Sequence, residues 1–99
     1  MVEIRQTEVF ARWFNSLRDQ QARKRIDDRI SRLSEGNPGD ARPIGEGVSE
    51  LRIDYGPGYR VYYVQRGQTL VILLAGGDKD SQDRDIRVAK ELARTLGGS

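Results

Sequence analysis

A chain of 99 residues with a formal net charge of only +2 is one domain with a modest core, and its overall charge alone does not indicate nucleic-acid binding. It contains neither cysteine nor histidine, which excludes a disulfide framework and removes the usual zinc ligands, so we expect no metal and no cofactor. No apolar run approaches the length of a membrane span and the N-terminus is charged, so we expect a cytoplasmic protein without membrane contact.

The first part of the chain predicts one strand followed by two helices. Residues 2–6 alternate apolar and polar side chains, which is typical of a short strand. Thr7 predicts the N-cap of a first helix, whose apolar stripe runs over residues 9–17. Asp19 predicts the cap of a second helix over residues 20–35, which a glycine ends, and the short connection favours an antiparallel helix pair.

The rest of the chain predicts three strands and a last helix. Glycine, proline and aspartate are frequent in residues 36–47, which indicates a loop. Three strand-like runs follow, at residues 48–54, 59–64 and 69–75. A glycine pair ends the third run, and a last helix carries its apolar stripe over residues 86–96. We therefore expect one α+β domain over residues 1–99 in the order β-α-α-β-β-β-α, with an antiparallel sheet and the two N-terminal helices packed on one face.

Strand alternation divides the side chains of the central hairpin between the two faces of that sheet. Four apolar side chains fit the face that the helices cover: Leu51, Ile53, Val61 and Tyr63. Arg52, Arg60 and Tyr62 then fall on the opposite face, which an antiparallel sheet can leave open to solvent. The alternation therefore predicts a solvent-open site around the two arginines.

The second predicted helix concentrates basic residues. Arg25, Arg29 and Arg32 follow one another at intervals of about one helical turn. We predict that they contact nucleic acid, because the planar fork of donors in arginine matches phosphate oxygens. The alternative is a solvated helix face whose charges pair with nearby acidic residues.

Two motifs together resemble the RelE/ParE toxin superfamily. Residues 50–63, ELRIDYGPGYRVYY, resemble its central hairpin, and residues 73–86, LLAGGDKDSQDRDI, resemble its HigB-like branch of addiction-module killer proteins. The resemblance implies the toxin of a type II toxin–antitoxin system, bound by a cognate antitoxin that is a small helix-turn-helix protein encoded adjacently. Some members cleave mRNA in the ribosomal A site, and ParE-like members instead inhibit DNA gyrase without catalysis. The fold alone does not choose between the two targets.

The resemblance also implies a metal-independent endoribonuclease (mRNA interferase) with four candidate catalytic residues: Arg60, Lys79, Arg52 and Asp85. Attack of a 2′-hydroxyl on the adjacent phosphate needs a proton acceptor, a proton donor and positive charge on the phosphorane. Arg60 matches the family arginine that follows Gly-Tyr, whereas Lys79 and Arg52 lie near two further basic positions. Ribonuclease members carry a C-terminal tyrosine or histidine where this chain has Asp85, which favours gyrase inhibition as the alternative.

Each of the basic candidates also has a purely structural interpretation. Arg52 can pair with Glu50 or Asp54, and Arg60 with Asp54 across the hairpin. Such exposed ion pairs contribute little to stability. Lys79 lies between two aspartates and can be ordinary loop charge.

Overall fold

The computed structural model describes residues 2–97, which form three helices and five strands. In chain order they are β1 (Glu3–Gln6), α1 (Glu8–Ser16), α2 (Gln20–Ser34), β2 (Ala41–Gly45), β3 (Val48–Ile53), β4 (Tyr59–Arg66), β5 (Leu70–Gly77) and α3 (Gln82–Gly97). The expected α+β class is confirmed, but the described chain contains one strand more than the sequence pattern predicts.

The five strands form one mixed sheet in the order β1-β5-β4-β3-β2. The strands from β2 to β5 pair antiparallel, whereas β1 pairs parallel with β5. The expectation of a purely antiparallel sheet is therefore wrong at this one edge. Parallel neighbours need a crossover connection, and here the chain passes through two helices and three strands between β1 and β5.

The additional strand is β2, which lies within the segment that the composition assigns to a loop. Ala41 pairs with Leu51, and the register shifts between Pro43 and Gly45. An edge strand tolerates a proline and a bulge because one of its sides makes no ladder hydrogen bonds. The prediction of a loop over residues 36–47 was wrong here, since composition alone does not distinguish such a strand from a turn.

The glycine pair forms the last two residues of β5, so the strand includes both glycines and does not stop before them. A Cβ atom on Gly76 would lie 2.2 Å from the Trp13 ring of α1, and one on Gly77 would lie 1.8 Å from the Asp85 carboxylate of α3. Both distances are far shorter than a van der Waals contact. The two glycines therefore allow helices on opposite faces of the sheet to approach the backbone of β5.

Helix starts and ends follow the sequence signals. The Thr7 hydroxyl accepts a hydrogen bond from the backbone N–H of Phe10 at 3.1 Å, as an N-cap does. The Asp19 carboxylate accepts from two backbone N–H groups at the start of α2. Gly36 has a φ of +87°, the left-handed conformation that commonly follows a helix end. Both predicted caps are confirmed.

The sheet has an apolar core on each face. The core beneath α1 and α2 contains Phe10, Ile26, Leu33, Leu51, Ile53, Val61, Tyr63, Val71 and Leu73. The core beneath α3 contains Val48, Tyr62, Val64, Leu74, Ala75, Ala89 and Ala93. The packing of both N-terminal helices on one face is thus confirmed. The expectation of an open second face is wrong, because the apolar stripe of α3 covers it and Tyr62 is fully buried there.

Candidate functional site

A cavity of about 290 Å³ lies beside the end of the β3–β4 hairpin. Its lining residues are Asp40, Arg52, Ile53, Asp54, Gly58, Arg60 and Lys79. Arg52 and Arg60 are cross-strand partners in the register of β3 and β4, and Lys79 comes from the loop between β5 and α3. Three of the four predicted catalytic side chains therefore meet in one cavity.

Arg52 is held by an acidic partner that the sequence analysis did not consider. Its Nε and Nη2 atoms both donate to Oδ1 of Asp40, at 3.2 and 3.1 Å. Both structural alternatives for Arg52, a pair with Glu50 or with Asp54, are therefore wrong. Two arginines directly opposite on adjacent strands repel each other, and Asp40 offsets that repulsion.

The Arg60 side chain makes no hydrogen bond or ion pair within residues 2–97, and its Nε atom is buried without a partner. The proposed structural pair with Asp54 is absent from the described part of the chain. A buried guanidinium donor without an acceptor is unfavourable, and an anion in the cavity offers one. Arg60 is therefore the side chain best prepared to receive an oxyanion.

Lys79 lies on a loop that is closed by its own hydrogen bonds. Oδ1 of Asp78 accepts from the backbone N–H of Asp80 at 2.9 Å and from that of Ser81 at 3.2 Å. Gly58 of the hairpin turn would place a Cβ atom 3.6 Å from the Cβ atom of Lys79. The loop is thus fixed in shape and lies against the turn, while the Lys79 side chain is exposed and has no ion-pair partner in the described residues.

Asp85, the fourth predicted catalytic residue, is not among the residues that line this cavity. Its side chain is buried at the first turn of α3, where Oδ2 accepts a hydrogen bond of 2.5 Å from the Ser81 hydroxyl. The carboxylate also lies against the backbone of Gly77. In this position Asp85 joins α3 to the loop that carries Lys79, and it does not face the three cations.

A buried polar cluster behind the cavity was missed by the sequence analysis. Glu50 is fully buried and accepts hydrogen bonds from Nε of Arg42 at 3.0 Å and from Nε2 of Gln82 at 2.7 Å. The sequence did contain a signal for the burial of Glu50. It lies two residues from the apolar Val48 on the same strand, and this spacing places both side chains on one face of the sheet. Its two partners come from β2 and α3, which no local pattern connects to it.

Tyr62 is the cross-strand partner of Glu50, and its hydroxyl has no hydrogen-bond partner in the described chain. Burial, followed by the negative charge of Glu50, raises the pKa of Tyr62 well above its ordinary value. The Glu50 carboxylate raises the pKa of Tyr62 through its negative charge. No hydrogen bond of ordinary geometry joins the Glu50 carboxylate to the Tyr62 hydroxyl. Tyr62 is buried and is not among the residues that line the cavity.

The predicted nucleic-acid contacts line a second cavity of about 260 Å³ against α2. It is lined by Arg25, Asp28, Arg29, Arg32, Ile53 and Asp54. Arg25 lies over the ring of Tyr55 at 4.7 Å from its centre. Because Ile53 and Asp54 belong to both linings, the two cavities adjoin, and basic side chains follow one another from α2 to the end of the hairpin.

Arg29 differs from its two neighbours because its donors are already used. Its Nη1 atom donates to the carbonyl of Arg52 at 2.5 Å, and its Nη2 atom donates to the carbonyls of Pro38 and Asp40. Burial is the largest cause that lowers the pKa of this guanidinium, and the charge of Asp40 opposes it. Arg29 therefore fixes the segment before β2. Arg25 and Arg32 are the members of the predicted trio whose side-chain donors make no hydrogen bond to any residue from 2 to 97.

Two further properties of residues 2–97 bear on the site. Within this range no group of three or more histidine, cysteine, aspartate or glutamate side chains is placed to hold a metal ion. None of the described helices is long and apolar enough to cross a membrane.

Comparisons with known proteins find similarity over most of the chain. Residues 12–96 match the family described as phage-derived protein Gp49-like (DUF891). An uncharacterized protein from Haemophilus influenzae is 48% identical over 96 residues, which is 97% of each chain. The similarity therefore includes the hairpin, the loop with Lys79 and both cavities.

Proposed function

The chain belongs to the family of phage-derived Gp49-like proteins, a RelE/ParE-like family of toxin–antitoxin toxins, and we propose that it stops translation by cleaving mRNA at the ribosome. Membership of this family implies an antitoxin as partner. The ribosome and its mRNA are the further partners under this proposal, and the HigB-like branch is the one that residues 73–86 resemble.

The observation that carries the proposal is the guanidinium of Arg60, which has no partner among residues 2–97 and lies in a cavity that Arg52 and Lys79 also line. Ion pairs and hydrogen bonds occupy the other arginines that approach this cavity. Cleavage through a 2′-hydroxyl develops negative charge on a phosphorane, and preorganised cations lower its energy. Arg60 lies on β4, which pairs with β3 on one side and with β5 on the other, so its position does not depend on a flexible loop.

A second candidate function is inhibition of DNA gyrase by binding alone. The observation that favours it is the position of Asp85, which takes the place of the family's C-terminal tyrosine or histidine but lies buried outside the cavity lining. Without a proton-transfer group at that place, the cavity has cations for binding a phosphate and fewer means of cutting it. The two functions differ in their products, since cleaved mRNA belongs only to the first.

The test is induced expression in bacteria without an antitoxin, followed by primer extension on cellular mRNA. We expect growth arrest with new mRNA 5′ ends, and recovery when the adjacent antitoxin gene is co-expressed. Growth arrest with intact mRNA and an induced SOS response would instead support gyrase inhibition, and normal growth at high expression would contradict both functions.

Arg60 variants test the observation on which the proposal rests. Loss of one preorganised donor costs about 2–4 kcal/mol of transition-state stabilisation, so Arg60→Ala should lose most of its mRNA cleavage. Arg60→Lys should recover only part, because lysine lacks the planar fork. Both variants should keep their antitoxin binding, which serves as the control for folding. A folded Arg60→Ala protein that cleaves as fast as the wild type contradicts the proposed role of the cavity.

A further inference from the structure

The cavity contains acidic side chains as well as cations, and the two carboxylates differ in their contacts. Asp40 uses one oxygen to accept both hydrogen bonds from Arg52. Asp54 is exposed and makes no hydrogen bond or ion pair with any residue between 2 and 97. The cavity therefore combines phosphate-binding cations with one carboxylate whose acceptor capacity is unused.

The backbone holds Asp54 in a fixed place at the end of β3. The N–H of Tyr55 donates to the carbonyl of Ile53 at 2.9 Å, which makes Asp54 the central residue of a tight turn. The following residue is fixed as well, because the Tyr55 hydroxyl donates to Asp19 at 3.0 Å and Arg25 covers its ring. Asp54 also lines both adjoining cavities, so an RNA strand that runs from one cavity to the other passes this carboxylate.

We propose that Asp54 is the catalytic base that accepts the proton of the attacking ribose 2′-hydroxyl. This inference rests on the proposed mRNA cleavage, and it supplies a proton acceptor that Asp85 does not provide from its buried position. Carboxylates are ionised at neutral pH and can accept a hydrogen bond from a hydroxyl group beside a bound phosphate. The same contact selects RNA over DNA, since DNA has no hydroxyl group at that position.

The step conserves atoms and charge. The 2′-hydroxyl proton passes to the Asp54 carboxylate while the 2′-oxygen forms a bond to phosphorus, and Arg60 binds the developing phosphorane oxygens. The bond from phosphorus to the 5′-oxygen then breaks, and this leaving oxygen takes a proton from the Lys79 ammonium group. The products are a 2′,3′-cyclic phosphate and a 5′-hydroxyl end, and solvent restores both protein groups.

Charge provides a sharp distinction between catalysis and binding. Removal of a negative charge from a cavity that attracts phosphate should leave RNA binding equal or tighter. Removal of a base should instead slow cleavage, by about 100-fold or more. Asp54→Asn should therefore slow cleavage without weakening RNA binding, whereas a variant that only disturbs the fold should reduce both the cleavage rate and the binding affinity.

The experiment uses full-length chains made in a cell-free translation system, with ribosomes programmed by a defined mRNA. Cleavage is followed by primer extension and ribosome binding by co-sedimentation. We expect Asp54→Asn to bind at least as tightly as wild type and to cleave at least about 100-fold more slowly. Asp27→Asn is the matched control, because it removes the same charge from a separate depression on α2 and should cleave normally.

A chemical rescue strengthens the test. Asp54→Ala should regain part of its cleavage when formate is added, and the same ionic strength of chloride should give no recovery. Cleavage by Asp54→Asn at the wild-type rate would overturn the assignment of the base while leaving the proposed function intact. Loss of cleavage together with loss of ribosome binding, or no recovery with formate, would also overturn it. Intact mRNA with the wild-type chain would overturn the proposed function itself.

Discussion

Arginine side chains around the sheet perform different tasks although their sequence contexts are similar. Arg29 holds backbone carbonyls, Arg42 reaches the buried carboxylate on β3, and Arg52 pairs with Asp40. Arg60 alone in this group has no partner in the described residues. The distinction depends on which acceptor lies within reach of each guanidinium, and a residue-by-residue pattern does not contain that information.

Tyr62 gives a prediction at this scale. Its buried hydroxyl has no hydrogen-bond partner among residues 2–97, and a buried unsatisfied polar group is unfavourable by roughly 1–3 kcal/mol. Tyr62→Phe should therefore raise the free energy of unfolding by about 1 kcal/mol. Tyr55→Phe is the contrasting variant, since its hydroxyl donates to Asp19 and its loss should be neutral or mildly destabilising. Urea denaturation at neutral pH measures both, and a destabilised Tyr62→Phe protein would contradict the prediction.

The raised pKa of Tyr62 adds a pH dependence to the same comparison. The folded protein keeps the phenolic proton at pH values where the unfolded chain, with an ordinary pKa of 10.0, loses it. The unfolded state then binds fewer protons, so stability falls as pH rises above about 10. Tyr62→Phe should show a shallower alkaline loss of stability than the wild type.

At the scale of elements, α3 packs closely against the end of β5 at Gly77, which is the cross-strand partner of Arg60. A methyl group at Gly77 would lie 1.8 Å from the Asp85 carboxylate and 2.7 Å from the Ser81 hydroxyl, both of which are short side chains with little room to move. We expect Gly77→Ala to destabilise the fold by about 1–3 kcal/mol, because overpacking displaces the start of α3. Thermal or urea unfolding checks this value.

A double-mutant cycle identifies the cause of that loss. When Asp85→Ala removes the carboxylate first, the same Gly77→Ala change should destabilise much less, since the two residues are in direct contact. If Gly77→Ala lowers the free energy of unfolding equally in the wild type and in the Asp85→Ala protein, the Asp85 carboxylate is not what the added methyl group meets. The outcome therefore tests whether the close approach of α3 is the reason for a glycine at this position of β5, opposite Arg60.

At the scale of the whole molecule, helices cover both faces of the sheet, and the two cavities occupy the region beside the hairpin and α2. Arg25 and Arg32 extend the cationic surface beyond the cavity that contains Arg60, whereas Arg29 is part of the fold. A phosphate chain that spans both cavities should release counterions at each contact. Salt should then weaken the association of the protein with ribosomes.

The corresponding prediction concerns the salt slope of ribosome binding. Arg25→Gln/Arg32→Gln should reduce the slope of log affinity against log salt by roughly 1 for each lost phosphate contact, without loss of stability. Arg12→Gln/Arg94→Gln is the control, since it removes the same charge from α1 and α3. An unchanged slope in the first variant would remove α2 from the binding surface.

The sequence by itself determined the features that depend on neighbours along the chain. The caps at Thr7 and Asp19 were predictable because each side chain binds a backbone N–H only two or three residues later. The alternation of side chains along β3 and β4 likewise placed Arg52 and Arg60 on one face. Periodicity is a local property of the backbone, so these predictions needed no knowledge of the sheet order. Lys79 was found only through the family motif, since its loop has no periodicity.

Tertiary structure alone decided what surrounds those side chains. Helix α3 covers the face of the sheet that the alternation pattern left open. Strand β2 lies within a segment rich in glycine and proline that the composition assigns to a loop. The same long-range packing set Asp40 beside Arg52 and buried Asp85, while Asp54 was left facing the cavity. These contacts join residues distant in sequence, and their geometry is fixed only when the helices close over the sheet. Sequence periodicity therefore gives the direction of a side chain, whereas packing decides whether that direction leads to solvent, to a partner or to a site.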